Sequence, residues 1–251
     1  MKYSPVYHPE ERINWTLSAS FKHQKAKYED IGNSLDQFNK ENLNTSLVRY
    51  YDGGSPTALW AVRSLGINPS DGRELFLTKE GTYTFEYDTE DEVVVGNSEP
   101  KLEGVLGSTL YWKGFSFSLY FRYSLGADVF TEATYNKVEN ISLAGLKSNQ
   151  DKRALHDRWQ KPGDHAKFKG ISLTETTPIS SRFVLRENYI KAESISVGYD
   201  FESQAVHKLG IQSLRLQANT TDLFRISSIK EERGIEYPFA RSFSFSLSAM
   251  F

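Results

Sequence analysis

The chain has 251 residues, enough to bury a sizeable core, and it contains no cysteine, which excludes disulfide frameworks, thiolate metal sites and cysteine nucleophiles. Aromatic residues make up 14% of the chain, mean hydropathy is −0.51, and no stretch reaches the roughly 18 apolar residues that a bundle of membrane helices needs. The net charge of −2 leaves no broad basic footprint for a nucleic acid.

The first predicted element is a β-strand over residues 13–21. Its apolar face holds Ile13, Trp15, Leu17, Ala19 and Phe21, and its polar face holds Asn14, Thr16, Ser18 and Ser20. This period of two is typical of a strand with one apolar and one polar face. The stripe spans about nine residues, which is the length that a tilted strand needs to cross the hydrocarbon layer of a membrane.

A connection of roughly 80 residues follows, and the sequence predicts a short helix within it. Ser55 occupies the expected N-cap position, Pro56 the first helical position, and Gly66 stands just beyond the expected end. On such a helix Leu59 and Val62 share one face, and Trp60 and Arg63 share the neighbouring face.

Residues 102–112 and 115–124 are predicted to form a hairpin around the dipeptide Lys113-Gly114. A two-residue turn pairs Trp112 with Phe115, so these two side chains must share a face. The turn therefore places Leu102, Leu106 and Leu110 on the outward face of the first strand. In the second strand, Phe115, Phe117, Leu119, Phe121 and Tyr123 are apolar, opposite Ser116, Ser118, Tyr120, Arg122 and Ser124.

A second long connection, of about 68 residues, carries a predicted helix from about Leu143 to Trp159 that is rich in Lys, Arg and Asp. Strand Ser194–Phe201 follows, with Ile195, Val197, Tyr199 and Phe201 on its apolar face. Upstream the alternation fails, because Lys191 and Glu193 would join the apolar face. A bulge, or emergence of the strand from its apolar surroundings, explains this break.

Two strands complete the chain, at residues 214–221 and 242–251. In the first, Leu214, Leu216, Ala218 and Thr220 share a face. In the last, Phe243, Phe245, Leu247, Ala249 and Phe251 oppose Ser242, Ser244, Ser246, Ser248 and Met250. A terminal strand of alternating apolar residues that ends on Phe251 is expected to act as the signal for outer-membrane assembly; the alternative is a simple edge strand.

The connections between the six strands alternate in length: long, short, long, short, long. Outer-membrane barrels show this alternation, because long loops lie outside the cell and short turns lie in the periplasm. A soluble all-β sandwich or barrel is the alternative, although its outer face would more often carry Lys and Glu than the Ser, Thr and Asn found here. The predicted class is therefore an all-β, antiparallel transmembrane barrel with long, partly helical external loops.

Six strands cannot close a membrane barrel, since the smallest have about eight strands and an open edge in lipid leaves backbone groups unsatisfied. The first twelve residues also lack the basic and apolar regions of an export signal. We therefore expect residues 1–251 to be the C-terminal part of a larger barrel.

Several segments resemble the C-terminal barrel region of SusC/RagA-type TonB-linked outer-membrane transporters of Bacteroidetes. They are RYYDGGSPTALWAVRSLGINPSDGRELF (Arg49–Phe76), DRW with the PGD turn (Asp157–Asp164), SISVGYDF (Ser194–Phe201), DLF (Asp222–Phe224) and GIEYPFARSFSFSLSAMF (Gly234–Phe251). The resemblance covers nearly the whole chain. The family form of DLF begins with Asn, so Asp222 is a small departure that affects a local hydrogen bond.

This resemblance implies a barrel of about 22 strands with an N-terminal plug, in the outer membrane of a Gram-negative cell. It implies import of glycans driven through TonB and aided by a SusD-like lipoprotein. These 251 residues hold no plug and no TonB-contacting segment, so by themselves they are not expected to transport. A soluble or secreted all-β glycan-binding module is the main alternative, and an independent small porin is a third.

No catalytic residues and no cofactor are predicted. The five histidines are scattered, without the close helical spacing of a zinc pair: His8, His23, His156, His165 and His207. The acidic run Asp88–Glu92 lacks the glycine-punctuated loop of a calcium site and is expected to be a solvated loop. Trp60 and Trp159 are the candidate contacts for a glycan or for the lipoprotein lid, the alternative being that they pack the loops internally.

Overall fold

A computed structural model describes residues 2–3, 13–172, 174–201, 210–230 and 241–251. The chain divides into two compact units. The strand unit comprises residues 1–23, 100–126 and 187–251, and the loop unit comprises residues 24–99 and 127–186.

The elements, in chain order, are β1 (Lys2–Tyr3), β2 (Ile13–Ala19), α1 (Asp36–Glu41), β3 (Ala58–Ile67), β4 (Glu74–Leu77), β5 (Tyr83–Thr84), β6 (Glu92–Asn97), β7 (Leu102–Trp112), β8 (Phe115–Phe130), α2 (Glu132–Thr134), α3 (Arg153–His156), β9 (Val184–Phe201), β10 (Ser213–Thr221), β11 (Arg225–Ser227) and β12 (Ser242–Met250). Short 3-10 turns lie at Thr89–Asp91, Gly145–Lys147 and Ser181–Phe183, and a π turn lies at Tyr135–Glu139. No helix in the described ranges has the length and hydropathy to span a bilayer.

The large sheet has the strand order β1-β2-β7-β8-β9-β10-β12, and β11 pairs with β9. All the pairings with a determined register are antiparallel. The six predicted strands are therefore confirmed, as is the antiparallel all-β class.

The register brings the apolar side chains of neighbouring strands onto one face. Trp15 pairs with Leu110, and Leu110 pairs with Phe117. In the C-terminal part of the sheet, Leu216 pairs with both Tyr199 and Leu247. Because side chains alternate with a period of two, a shift of one residue in any pair would mix apolar and polar residues. The observed register keeps a single apolar face across the sheet.

The turn between β7 and β8 has the predicted geometry. Lys113 and Gly114 both have positive φ, 46° and 86°. Two positive φ values in a two-residue loop are typical of a type I′ turn, whose twist matches that of the strands it joins. Trp112 consequently pairs with Phe115, so the face assigned to β7 from the turn is confirmed.

Strand β9 begins at Val184 rather than at the predicted Ser194. Its pairing shifts by one residue between Ser194↔Thr221 and Lys191↔Arg225. The extra residue lies in the partner segment, where Asp222 has a φ of 49°. The bulge therefore lies between β10 and β11 and not in β9, which runs without interruption, so Lys191 and Glu193 keep the same face as Ile195 and Val197.

The predicted helix over residues 55–66 is wrong, because Ala58–Ile67 is strand β3. This strand joins β6 and β4 in a second antiparallel sheet with the order β5-β4-β3-β6. The register irregularity between Leu59 and Trp60 has its extra residue on β6, whereas β3 itself carries an extra residue, Leu65, opposite β4. Pairing with two partner strands overrides the local helix signals of this segment.

The predicted helix from Leu143 to Trp159 is also wrong in extent. Only the 3-10 turn Gly145–Lys147 and the single turn of α3 are helical. The side chain of Asp151 accepts a hydrogen bond from the backbone N–H of Arg153, and such a local bond starts a new turn. At the other end, Arg158 forms a β-bridge with Phe168.

The two clusters of buried apolar residues both lie in the loop unit. The first comprises Val138, Ile141, Ala154, Phe168 and Phe183, and the second comprises Leu47, Leu59, Ala61 and Ile179. The loop unit is therefore organised like a small water-soluble domain. The apolar face of the large sheet contributes to neither cluster.

Candidate functional site

The strand unit presents an extended apolar surface, hereafter the apolar face. It is formed by the outward side chains of β2, β7, β8, β9, β10 and β12, among them Leu17, Leu106, Phe117, Leu119, Val197, Leu216, Phe245 and Leu247. Phe245 and Leu247 are 77% and 68% exposed. An apolar surface this large is rare on a water-soluble monomer and marks an interaction surface or a lipid contact.

Aromatic pairs lie at both ends of the apolar face. Near the β7–β8 turn, the rings of Phe115 and Tyr199 are 4.4 Å apart, and those of Tyr199 and Phe201 are 4.8 Å apart. Near the other end, Phe21 packs on Tyr123 at 6.3 Å. Phe115 and Tyr123 are separated by about 26 Å along β8, given a rise of about 3.3 Å per residue. Two aromatic groups that border an apolar band are typical of an outer-membrane barrel wall.

The opposite face of the same sheet is polar and internally hydrogen-bonded. The amide of Gln217 donates to the hydroxyl of Ser196 at 2.9 Å. Arg215 donates to Ser116 at 3.2 Å, and its guanidinium lies 3.7 Å from the carboxylate of Asp200. Polar groups are thus segregated from the apolar face, which fits a wall with lipid on one side and a water-filled lumen on the other.

Trp60 lies on β3 of the loop unit and is half-buried. Its ring packs against Tyr51, with the ring centroids 5.2 Å apart and the planes tilted by 55°. Tyr51 is 42% exposed. The two rings form an aromatic pair that is partly open to solvent, and such a pair offers flat apolar area to a ligand.

Trp159 is engaged within the loop unit. Its indole N–H donates to the carbonyl oxygen of Pro69 at 3.0 Å. The ring lies against Gly72, where an added Cβ would fall 2.5 Å from the indole. These contacts support the alternative that Trp159 packs within the loop unit. Trp60 packs against Tyr51 and Trp159 against Gly72, so the two rings have different neighbours.

A buried group of charged residues, which the sequence did not predict, joins β4, the π turn Tyr135–Glu139 and the 3-10 turn Ser181–Phe183 within the loop unit. Arg182 donates to Glu74 at 2.8 Å and to Glu139 at 3.0 Å, and both carboxylates are buried. Glu74 also accepts from the hydroxyl of Ser180 at 2.6 Å, and Glu139 accepts from that of Thr177 at 2.9 Å. Burial alone would lower the pKa of Arg182, but its hydrogen bonds to Glu139 and Glu74 raise it. We call these five residues the Arg182 cluster.

The acidic run contributes to a second buried ion pair. Arg49 makes a two-pronged contact with Glu92, with both hydrogen bonds at 2.9 Å and both residues buried. Burial raises the pKa of Glu92, and Arg49 offsets part of that effect. The expectation that Asp88–Glu92 is a solvated loop is therefore wrong for Glu92. Asp88, by contrast, accepts from the backbone N–H of Glu90 at a 3-10 turn.

No group of three or more side chains suited to a metal ion is found among the described residues. His8 and His207 lie outside the described residues. His23 lies 2.8 Å from the carbonyl oxygen of Lys101 through its Nδ1 atom. His156 and His165 are exposed.

The proposed assembly signal lies on the edge strand β12. Phe243, Phe245 and Leu247 share the apolar face, opposite Thr220, Ala218 and Leu216 of β10. Phe251 follows the strand and is 79% exposed. Its role in assembly stays a prediction.

No family model matches the chain. Among curated proteins it is similar to two TonB-dependent receptors of Formosa agariphila. It is 24% identical to receptor P39 over 161 residues, which is 62% of this chain and 15% of that protein. It is 25% identical to receptor P3 over 173 residues, 69% of this chain and 16% of that protein.

Among solved structures the chain is similar to a chain of the RagAB peptide transporter, with a TM-score of 0.71 and 16% identity over 91% of this chain and 25% of that one. The RagAB importer in its open-open state gives a TM-score of 0.68 and 17% identity, over 93% of this chain and 25% of that one. The chain thus spans about a quarter of the solved chains and a smaller part of the curated relatives.

These similarities confirm the resemblance to SusC/RagA-type TonB-linked transporters and the fold expected from it. They also confirm the expected location in the outer membrane of a Gram-negative cell. Both curated relatives carry the name of a receptor, which fits the expectation of a protein that is not an enzyme.

Proposed function

We propose that residues 1–251 are the C-terminal part of the barrel of a TonB-dependent importer, whose plug lies outside them. The observation that carries this proposal is the apolar face, bordered by aromatic pairs and backed by a hydrogen-bonded polar face. Lipid covers such a face in a membrane barrel, whereas in a soluble glycan-binding module it would face water and promote aggregation.

The proposed partners are the TonB complex, through the plug, and a SusD-like lipoprotein that covers the extracellular loops. The proposed substrate is an oligosaccharide, with the aromatic pair Tyr51–Trp60 as its stacking surface. Trp159, which is half-buried and packs within the loop unit, stays a proposed second contact. Peptide import is the second candidate, since the RagAB structures are those of a peptide importer.

An uptake measurement tests both the importer and its substrate. Cells that carry the full-length protein are expected to accumulate fluorescent oligosaccharides, and a protonophore should abolish this accumulation because transport draws its energy through TonB. Trp60→Ala is expected to reduce uptake at limiting substrate by about tenfold, the effect of losing roughly 1.4 kcal/mol of ring stacking.

Trp60→Phe is the matched control, because it keeps a ring beside Tyr51 and should retain most of the uptake. Accumulation of labelled peptides instead of oligosaccharides would support the second candidate. Uptake that is unaffected by the protonophore would contradict the importer itself.

The assembly role of β12 gives a separate prediction. Deleting Phe251 is expected to reduce delivery of the full transporter to the outer membrane far more than the loss of one exposed side chain explains. Complete burial of a Phe is worth only about 1.5–3 kcal/mol, and this ring is 79% exposed. The measurement is the amount of protease-resistant, heat-modifiable barrel in outer-membrane fractions. The control is Phe243→Leu, which should assemble better than the deletion. Equal assembly of the two variants would show that Phe251 is a packed side chain and not an assembly signal.

A further inference from the structure

We propose that the apolar face carries a binding groove for one acyl chain of a phospholipid, whose phosphate group lies beside Lys113. The groove is formed by the middle of β2, β7 and β8 and is called the acyl groove below. This site goes beyond the proposed function, because it requires only that these strands lie in the outer membrane, whatever the protein imports.

The acyl groove is a depression with a volume of about 390 Å³. Small-molecule sites in proteins have volumes of about 300–1,000 Å³. Ser18 and Gly107 border the groove, but the alternation of the strands turns the Ser18 side chain to the polar face. The walls are side chains of the apolar face, from three adjacent strands: Leu17, Ala19, Leu106, Ser108, Leu119 and Phe121.

The strand register explains why a depression forms at this place. Ser108 pairs with Leu17 on one side and with Leu119 on the other, so a small side chain lies between two large ones. Along β7 the next outward side chains are those of Leu106 and Leu110, which are also larger than serine. Wall atoms beside an unfilled gap lack contact partners on one side. A ligand that fits the gap would therefore gain close contacts that the wall alone cannot make.

The chemistry of the acyl groove favours a hydrocarbon chain. The indole N–H of Trp15 donates to the hydroxyl oxygen of Ser108 at 2.9 Å, so these two polar groups beside the groove are bonded to each other. A sugar or a peptide in the groove would bury polar groups among apolar side chains, which is unfavourable without hydrogen-bond partners. An acyl chain carries no such groups, and its methylenes can contact the leucine and phenylalanine side chains.

A cation lies at the border of the apolar face, where the phosphate of such a lipid is expected. Lys113 belongs to the β7–β8 turn, and its ammonium lies 5.4 Å from the centre of the Trp112 ring. Trp112 pairs with Phe115 on the apolar face, so the ammonium lies on that side of the sheet. Lys113 is exposed and can pair with an anion. Lysine is a common partner of phosphate groups.

The distance between the cation and the groove matches the length of one lipid chain. Lys113 follows Ser108 by five residues, which is roughly 17 Å along a strand. One leaflet contributes half of a hydrocarbon layer of about 30 Å, so an acyl chain spans roughly 15 Å. Short turns of outer-membrane barrels lie in the periplasm. The lipid therefore belongs to the periplasmic leaflet, which consists of phospholipids.

The test uses the full-length protein in detergent and a phosphatidylglycerol probe that carries a photoreactive diazirine at the end of one acyl chain. Mass spectrometry of the cross-linked peptides locates the chain end. We expect the labels to concentrate on the residues that form the acyl groove. Ser108→Leu should reduce this labelling by roughly tenfold, because the larger side chain fills the gap.

Two control variants separate the groove from the rest of the apolar face. Ser108→Ala removes the hydrogen bond with Trp15 and leaves the gap open, so it should keep the labelling. Ala218→Leu adds a leucine between Val197 and Phe245, outside the groove, and should also keep it. Labels spread evenly over the apolar face, or equal losses in Ser108→Leu and Ala218→Leu, would overturn the inference.

A second experiment tests the position of the phosphate. Lys113→Gln should reduce labelling by the phosphatidylglycerol probe roughly two- to fivefold, the strength of an exposed ionic contact. Labelling by a diacylglycerol with the same chains and no phosphate should not change. Lys101→Gln, beside the other end of β7, is the control and should affect neither probe. Equal effects of Lys113→Gln on the two probes would contradict a phosphate beside Lys113.

The same preparation distinguishes two other occupants of the groove. Lipid A that displaces the label more effectively than phospholipid would indicate an occupant from the outer leaflet. A dimer in light scattering that Ser108→Leu dissociates would indicate a second copy of the protein. Either result would overturn the inference. Because labelling is measured without transport, a protein that binds the probe and imports nothing contradicts the proposed function alone, and an importer without labels in the groove contradicts this inference alone.

Discussion

Replacing Leu119 with Arg is expected to destabilise the membrane-inserted barrel by about 2–4 kcal/mol, the cost of an Arg on the lipid side near the middle of the bilayer. Leu119 pairs with Ser108 on β7 and lies between Phe117 and Phe121 on the apolar face. The measurement is the yield of folded, heat-modifiable full-length barrel in outer-membrane fractions.

Ser118→Arg is the matched control, because the two positions are adjacent in β8 and point to opposite faces. Ser118 pairs with Thr109 on the polar face, where an Arg can remain hydrated in the lumen. We expect this variant to assemble at close to the wild-type yield. Equal yields for the two variants would show that the faces are wrongly assigned.

Replacing Arg182 with Leu is expected to destabilise the loop unit by about 3–5 kcal/mol, because removal of one partner leaves buried charges uncompensated. In this variant Glu74 and Glu139 would stay buried without their shared cation. Hydrogen exchange of the full-length protein measures the effect. The amides of β4 should lose protection by roughly two to four orders of magnitude.

The control is Arg73→Leu, which breaks an exposed ion pair with Asp71 and a stacking contact with Phe85. Its effect should stay near 1 kcal/mol or below. A rescue variant that combines Arg182→Leu with Glu74→Gln and Glu139→Gln should recover part of the protection, since it removes the unpaired charges. An Arg182→Leu protein with unchanged protection would mean that the Arg182 cluster is not what holds the unit together.

The large sheet was predictable because its signal is local and repeated. Each strand shows its apolar and polar faces in its own sequence, and a two-residue turn ties the face of β7 to that of β8. The alternation of long and short connections between the strands then indicated a membrane barrel. The sequence could not show that β9 extends back to Val184, because Lys191 and Glu193 place charged residues on the face that is apolar further along the strand.

The loop unit was not predictable in the same way. Local signals at Ser55, Pro56 and Gly66 favour a helix, yet β3 is a strand because β4 and β6 supply partners for its backbone. The contacts of the Arg182 cluster join residues that are 38 to 108 positions apart, so no local spacing in the sequence predicts them. The DRW and PGD segments marked the region of Trp159, although its contacts with Pro69 and Gly72 emerge only in the folded unit.

The sequence by itself therefore determined the strands of the large sheet and their apolar and polar faces, because each strand shows a period of two in its own residues. It also showed the resemblance to TonB-linked transporters. Apart from the β7–β8 hairpin, the tertiary structure alone decided which strands pair, where the register shifts and how the long connections fold. The physical reason is that buried ion pairs and strand pairing depend on groups far apart in the chain, whose contacts outweigh local propensities of less than about 1 kcal/mol per residue.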